Sequence, residues 1–162
     1  MTAYKKIAFL LVFIIPGLVH ASSESVYSTS VKADFELVYK HIYSALEKHR
    51  LFVVFEPNIG ANLARFEKRW KEDYNRNKLT KFKSMVFCNA WYANQMSNMD
   101  INMTAICPLH ITLTQRDGIT SIHFVRPDFI AKNSNASSVA KDLTSLVIKA
   151  ITEGITTVQQ PR

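Results

Sequence analysis

The chain has 162 residues, with 20 Lys and Arg against 13 Asp and Glu, and a formal net charge of +7 at pH 7. That size suits one compact domain with a buried core, and no internal repeat or low-complexity tract points to a solenoid or a disordered tail. A positive excess of this size fits ordinary solubility first; anionic lipid, acidic polysaccharide or an acidic partner comes next, and nucleic acid is not an expected partner.

Residues 1–23, MTAYKKIAFLLVFIIPGLVHASS, carry Lys5 and Lys6, an apolar run over 7–15, then Val19-His20-Ala21. A basic start, a short apolar run and small residues at the cleavage positions make a secretory signal peptide, residues 1–21, cut near Ala21. The apolar run falls well short of the roughly 20 residues a bilayer span needs. The expectation is a single domain over 22–162, periplasmic or secreted, with no transmembrane segment after cleavage.

Residues 26–31 (VYSTSV) alternate apolar and hydroxyl side chains, the period of a half-buried strand. Asp34 is placed to cap a helix in which Phe35, Val38, Ile42, Ala45 and Leu46 recur at helical spacing. The run 51–57 (LFVVFEP) reads as a buried strand stopped by proline. Residues 58–74 suggest a second helix with Ile59, Leu63, Phe66 and Trp70 on its core face. A basic connection over 75–81 leads into a strand over 82–88 (FKSMVFC), and 89–106, without a clean period, suggests short helical turns. After Pro108, LHITLTQ and ITSIHFV flank Arg116-Asp117-Gly118, a strong hairpin signal. Residues 137–155 close the chain as a helix capped by Ser137 or Ser138, with Val139, Leu143, Leu146, Val147, Ala150 and Ile151 inward.

The predicted order is β-α-β-α-β, an irregular crossover, β-β and α. That is an α+β domain: one mixed or antiparallel sheet covered by helices.

Several short motifs in this order carry a family resemblance. They are the helix leading to LFVVFE, Asn58-Ile59-Gly60-Ala61, Phe87-Cys88-Asn89, Gln95-Met96, Cys107-Pro108-Leu109 and Val125-Arg126-Pro127. Across roughly residues 26–155 the chain resembles the family called domain of unknown function 302 (DUF302). The resemblance implies a small α+β domain that pairs as a homodimer, and it assigns no reaction. Cys88 stands where the family pattern has a glycine, and residues 68–83 are longer and more basic than the family's equivalent.

Cys88 and Cys107 are the two cysteines of the chain. In the oxidising compartment that a signal peptide implies, they are expected to form a disulfide if their strands are antiparallel neighbours. Two free buried thiols or a redox-active pair are the alternatives, the last without the Cys-x-x-Cys spacing of thiol oxidoreductases. His110 and His123 lie on the two arms of the hairpin, roughly opposite each other, and with Met96 and Met99 are candidate ligand or metal contacts. The three-and-four spacing of Met96, Met99 and Met103 equally suits a packing stripe. Arg76, Lys78, Lys81 and Lys83, within the basic run 68–83, are candidate contacts to an anionic lipid or polysaccharide surface; a solvated face is the plainer reading.

No catalytic residue, cofactor or resident metal is expected, because nucleophile elbows, phosphate loops and metal-ligand spacings are missing. The leading expectation is a non-enzymatic binding or envelope-associated domain using a groove beside the hairpin or at a dimer interface, with a small ligand or envelope component as partner. A thiol- or metal-dependent redox protein and an anionic-surface binder are the alternatives.

Overall fold

The computed structural model describes residues 24–160. The expected signal peptide, residues 1–21, lies outside them. No helix among the described residues is long and apolar enough to cross a membrane.

Five strands form one antiparallel sheet in the order β1-β5-β4-β3-β2: β1 Val26–Lys32, β2 Phe52–Phe55, β3 Lys81–Cys88, β4 Leu109–Arg116 and β5 Ile119–Val125. Every strand pairing is antiparallel. The six helices of the described residues are α1 Phe35–Lys48, α2 Ile59–Ala64, α3 Glu67–Trp70, α4 Ala90–Met99, α5 Pro127–Ile130 and α6 Ser137–Gln159. The α+β expectation holds, and the sheet is antiparallel rather than mixed.

Asp34 starts α1 as its spacing predicts, its Oδ1 accepting the Leu37 N–H at 2.9 Å. One stripe of α1, including Phe35, Val38, Ile42 and Leu46, is buried with Leu143, Val147 and Ile151 of α6. The strands contribute Met85 and Phe87 of β3, Ile111 and Leu113 of β4, and Ile122 and Phe124 of β5. Because strand side chains alternate faces, these positions leave His110, Thr112 and Thr114 of β4 and Ser121 and His123 of β5 on the opposite side. One face of the sheet is thus buried under two helices while the other carries hydroxyls and histidines, a division open to antiparallel sheets.

The structure corrects several sequence expectations. Strand 51–57 is buried only in part: Leu51 is in the core and Val53 packs against it, but β2 is an edge strand, and Phe52, Val54 and Phe55 are 53%, 65% and 63% exposed. A register shift between Val53 and Phe55 offsets its pairing with β3. The single helix expected over 58–74 is two short ones and a 3-10 turn at Lys71–Asp73, with no buried residue in any of them. Phe66 and Trp70 stack on each other, with ring centroids 4.9 Å apart, instead of entering the core. Conversely, 89–106 is better ordered than expected. Asn89 caps the ten-residue α4, accepting the Tyr92 N–H, before a 3-10 segment at Ile101–Ile106. Helix α6 begins without a side-chain cap; Ser134 takes that role from outside, its Oγ accepting the Ala136 N–H at 3.1 Å.

Candidate functional site

The two cysteines are neighbours. Strand β3 runs antiparallel beside β4 with Phe87 opposite Leu109, which brings Cys88 at the end of β3 to the turn that begins β4 at Cys107-Pro108. Both are half-buried free thiols, close enough for Cys88 to influence the titration of Cys107. Burial first, then the neighbouring Cys88, push the Cys107 thiol up to about 11. Cys88 also lies opposite Phe52 on the other side of β3, and its φ is not positive. The backbone at the family's glycine position therefore accepts a side chain here.

The histidines are not cross-strand partners. A two-residue turn makes Arg116 pair with Ile119, which carries His123 opposite Thr112, while His110 lies opposite Val86. The His123 ring is engaged elsewhere, with Nδ1 3.0 Å from Ser28 Oγ and Nε2 3.4 Å from Thr114 Oγ1. Met96 is buried with Ala131, Ala136, Val139 and Ala140, a packing role, and Met99 is largely exposed. Among the described residues no three His, Cys, Asp or Glu side chains are grouped to hold a metal ion.

The basic run is partly neutralised. Arg76 pairs with Asp73, and Lys81 and Lys83 both reach Glu36, at 3.6 and 3.3 Å. The Lys83 ammonium also sits 5.0 Å from the centre of the Tyr39 ring. Lys78 has no such partner among the ion pairs of the described residues, and it occupies a strained backbone position.

That strain marks a feature the sequence reading missed. Lys71, Asn75 and Lys78 all have positive φ, at 48, 44 and 53°. For residues with a Cβ such conformations cost on the order of 1–3 kcal/mol each and persist only where surrounding contacts enforce them. Here Asn75 enforces the turn: its Oδ1 accepts the Leu79 N–H and its Nδ2 donates to the Leu79 carbonyl, both at 2.9 Å. The Thr80 N–H then donates to the Gln115 carbonyl at 2.8 Å, tying this strap to the hairpin.

A cavity opens on each side of the strap, and Leu79 lines both. One, of about 530 Å³, lies beside the hairpin and is lined by Ser30, Thr114, Ser121 and His123, by Arg116 with Asp117 3.6 Å from its guanidinium, and by Ile119, with Asn77 and Leu79 of the strap on its other side. Burial lowers the pKa of His123 below the ordinary 6.5, so it enters this groove as a neutral hydrogen-bonding ring rather than a cation. Ser30 Oγ and Ser121 Oγ are 2.9 Å apart across the strands. The other cavity, of about 340 Å³, lies between α2, the strap and β3. Strand alternation could have placed Ser30, Thr114, Ser121 and His123 on one face; only the strap shows that the face is bounded.

The fold has solved relatives. An uncharacterised conserved protein DUF302 from Bacillus stearothermophilus superposes with a TM-score of 0.68 at 14% identity, covering 81% of this chain and 98% of that one. At that identity the likeness speaks for the fold alone. No curated protein matches the chain. The family model described as domain of unknown function DUF302 matches residues 27–154, from β1 to the last turns of α6, and the chain belongs to that family.

Proposed function

We propose that this protein is a non-enzymatic binding domain of the periplasm or extracellular space whose small, hydroxyl-rich ligand sits in the groove beside the β4–β5 hairpin. One observation carries the reading: five polar side chains from three adjacent strands converge beside a strained, side-chain-locked strap. A concave site with a few converging polar groups is the usual form of a ligand site. The hydroxyls and neutral imidazole suit an uncharged sugar ring, because Arg116 already faces Asp117 at 3.6 Å, so galactose is an apt probe. Titrating it against the mature protein should shift the His123 ring resonances, and Ser121→Val should weaken the effect several-fold. Unmoved His123 signals at millimolar probe would sink the proposal.

Export rests on the signal peptide expected at residues 1–21. Pairing into a homodimer is a further part of the proposal, supported by the exposed apolar edge of β2. An unpaired strand edge with Phe52, Val54 and Phe55 in solvent is a template for another strand. Sedimentation should find a dimer, and Val54→Lys should shift it to monomer; a wild-type protein that sediments as a monomer at high concentration removes this part.

The cysteine pair is assigned to structure rather than catalysis. A redox nucleophile needs a thiolate at neutral pH, and the upward shift of Cys107 opposes one at that residue. With a thiol–disulfide oxidant of the export compartment accepting two electrons and two protons, the pair would close into a staple between β3 and β4.

A further inference from the structure

We propose that the cavity between α2, the strap and β3 is a second binding site, for a small uncharged molecule joining an amide group to a short apolar body. Its volume of about 340 Å³ lies in the range of small-ligand sites. Ala61, Leu63, Ala64, Leu79 and Phe82 supply an apolar lining.

The polar groups decide what fits beside them. Strand β2 ends at Phe55, and beyond it the Ser84 N–H donates to the Pro57 carbonyl, away from β4. In an antiparallel strand alternate residues bond to the same neighbour, so Phe82 turns its N–H and C=O to that same edge, past the end of β2. There α2 crosses with Gly60 against the Phe82 backbone: a Cβ on Gly60 would stand 3.5 Å from both Phe82 N and Phe82 O. The missing side chain leaves a donor and an acceptor side by side at the wall of an apolar cavity. An amide offers the complementary acceptor and donor.

The cations at the rim are already engaged, sharing one carboxylate. The two cationic residues of the lining, Lys81 and Lys83, both direct their ammonium groups to Glu36. Asn58 and Asn75 have their side-chain oxygens committed to the Ala61 and Leu79 N–H groups. The site goes beyond the hairpin groove, from which Leu79 separates it, and does not depend on that groove being occupied.

The test uses N-acetyl-leucinamide as the probe and 4-methylpentanoate, with a similar apolar body and a carboxylate, as the comparison. In amide-resolved NMR titrations of the mature protein, the neutral probe should shift Gly60 and Phe82 and slow hydrogen exchange at the Phe82 N–H. Gly60→Ala should fold, because its new contacts are of ordinary length, melt at a higher temperature, since alanine favours helix over glycine, and bind the probe at least tenfold more weakly. Tighter binding of the carboxylate, unchanged affinity in Gly60→Ala, or no shift at Gly60 and Phe82 each overturns the proposal. The His123 resonances report the hairpin groove separately, so the two sites can fail independently.

Discussion

The oxidised protein should be more stable than its reduced form by about 3 kcal/mol, the chain-entropy value for a loop of this size. Cys88 closes β3, Cys107 leads into β4, and the two strands pair directly, so the bridge spans an antiparallel strand end rather than distant elements. Phe87 pairs with Leu109, so the two cysteines stand at the same end of paired strands, where a bridge asks little movement of the backbone. The staple would restrain the unfolded chain across α4 and the 3-10 segment that follows it, a stretch whose main anchor is Met96. Urea unfolding with and without reductant measures the difference, and Cys107→Ala should match the reduced protein. Coincident midpoints, or two titratable thiols in the denatured exported protein, would remove the bridge.

Gly154→Ala should destabilise the fold by roughly 2–3 kcal/mol, within the range for overpacking a close-packed core. Gly154 lies where α6 crosses α1, and a Cβ there would stand 2.7 Å from Ile42 Cδ1 and 3.0 Å from Ile42 N and Cα. A side-chain methyl can turn aside, but backbone atoms of a helix cannot move without separating the helices. Those two helices cover the sheet, with Ile42 fully buried between them. The contrast with Gly60→Ala is the sharper test. The same substitution in two helices should lower stability at Gly154 and raise it at Gly60, because only the first meets a wall. Equal shifts at both sites would show that helix propensity, not packing, governs.

The elements that were legible share a local cause. Asp34 and the apolar stripe of α1, the Asp117-Gly118 turn with φ of 51 and 73°, and the long stripe of α6 each state their structure within a few residues. Residues 58–74 misled because Ile59, Leu63, Phe66 and Trp70 keep helical spacing, yet the chain breaks at Arg65-Phe66 and the two aromatic rings satisfy each other. The run LFVVFE misled because hydrophobicity reports what prefers burial, not whether a strand lies at the centre or the edge of its sheet. The histidine pair failed by register: a shift of two residues along a strand keeps both rings on one face and still leaves them with different partners.

By itself the sequence determined the α+β class, the hairpin, the buried stripes of α1 and α6, and the family resemblance, all of which depend on periodicity and short-range turn chemistry. Tertiary structure decided which strand became the edge, that Cys88 and Cys107 stand at one end of the β3–β4 pair, and that a strap stabilised by Asn75 separates a polar groove from an apolar cavity. Those features join residues far apart in the chain, such as Ser30 with Ser121 and Gly60 with Phe82. No local pattern encodes such distances; they follow only from the register and order in which the strands close the sheet.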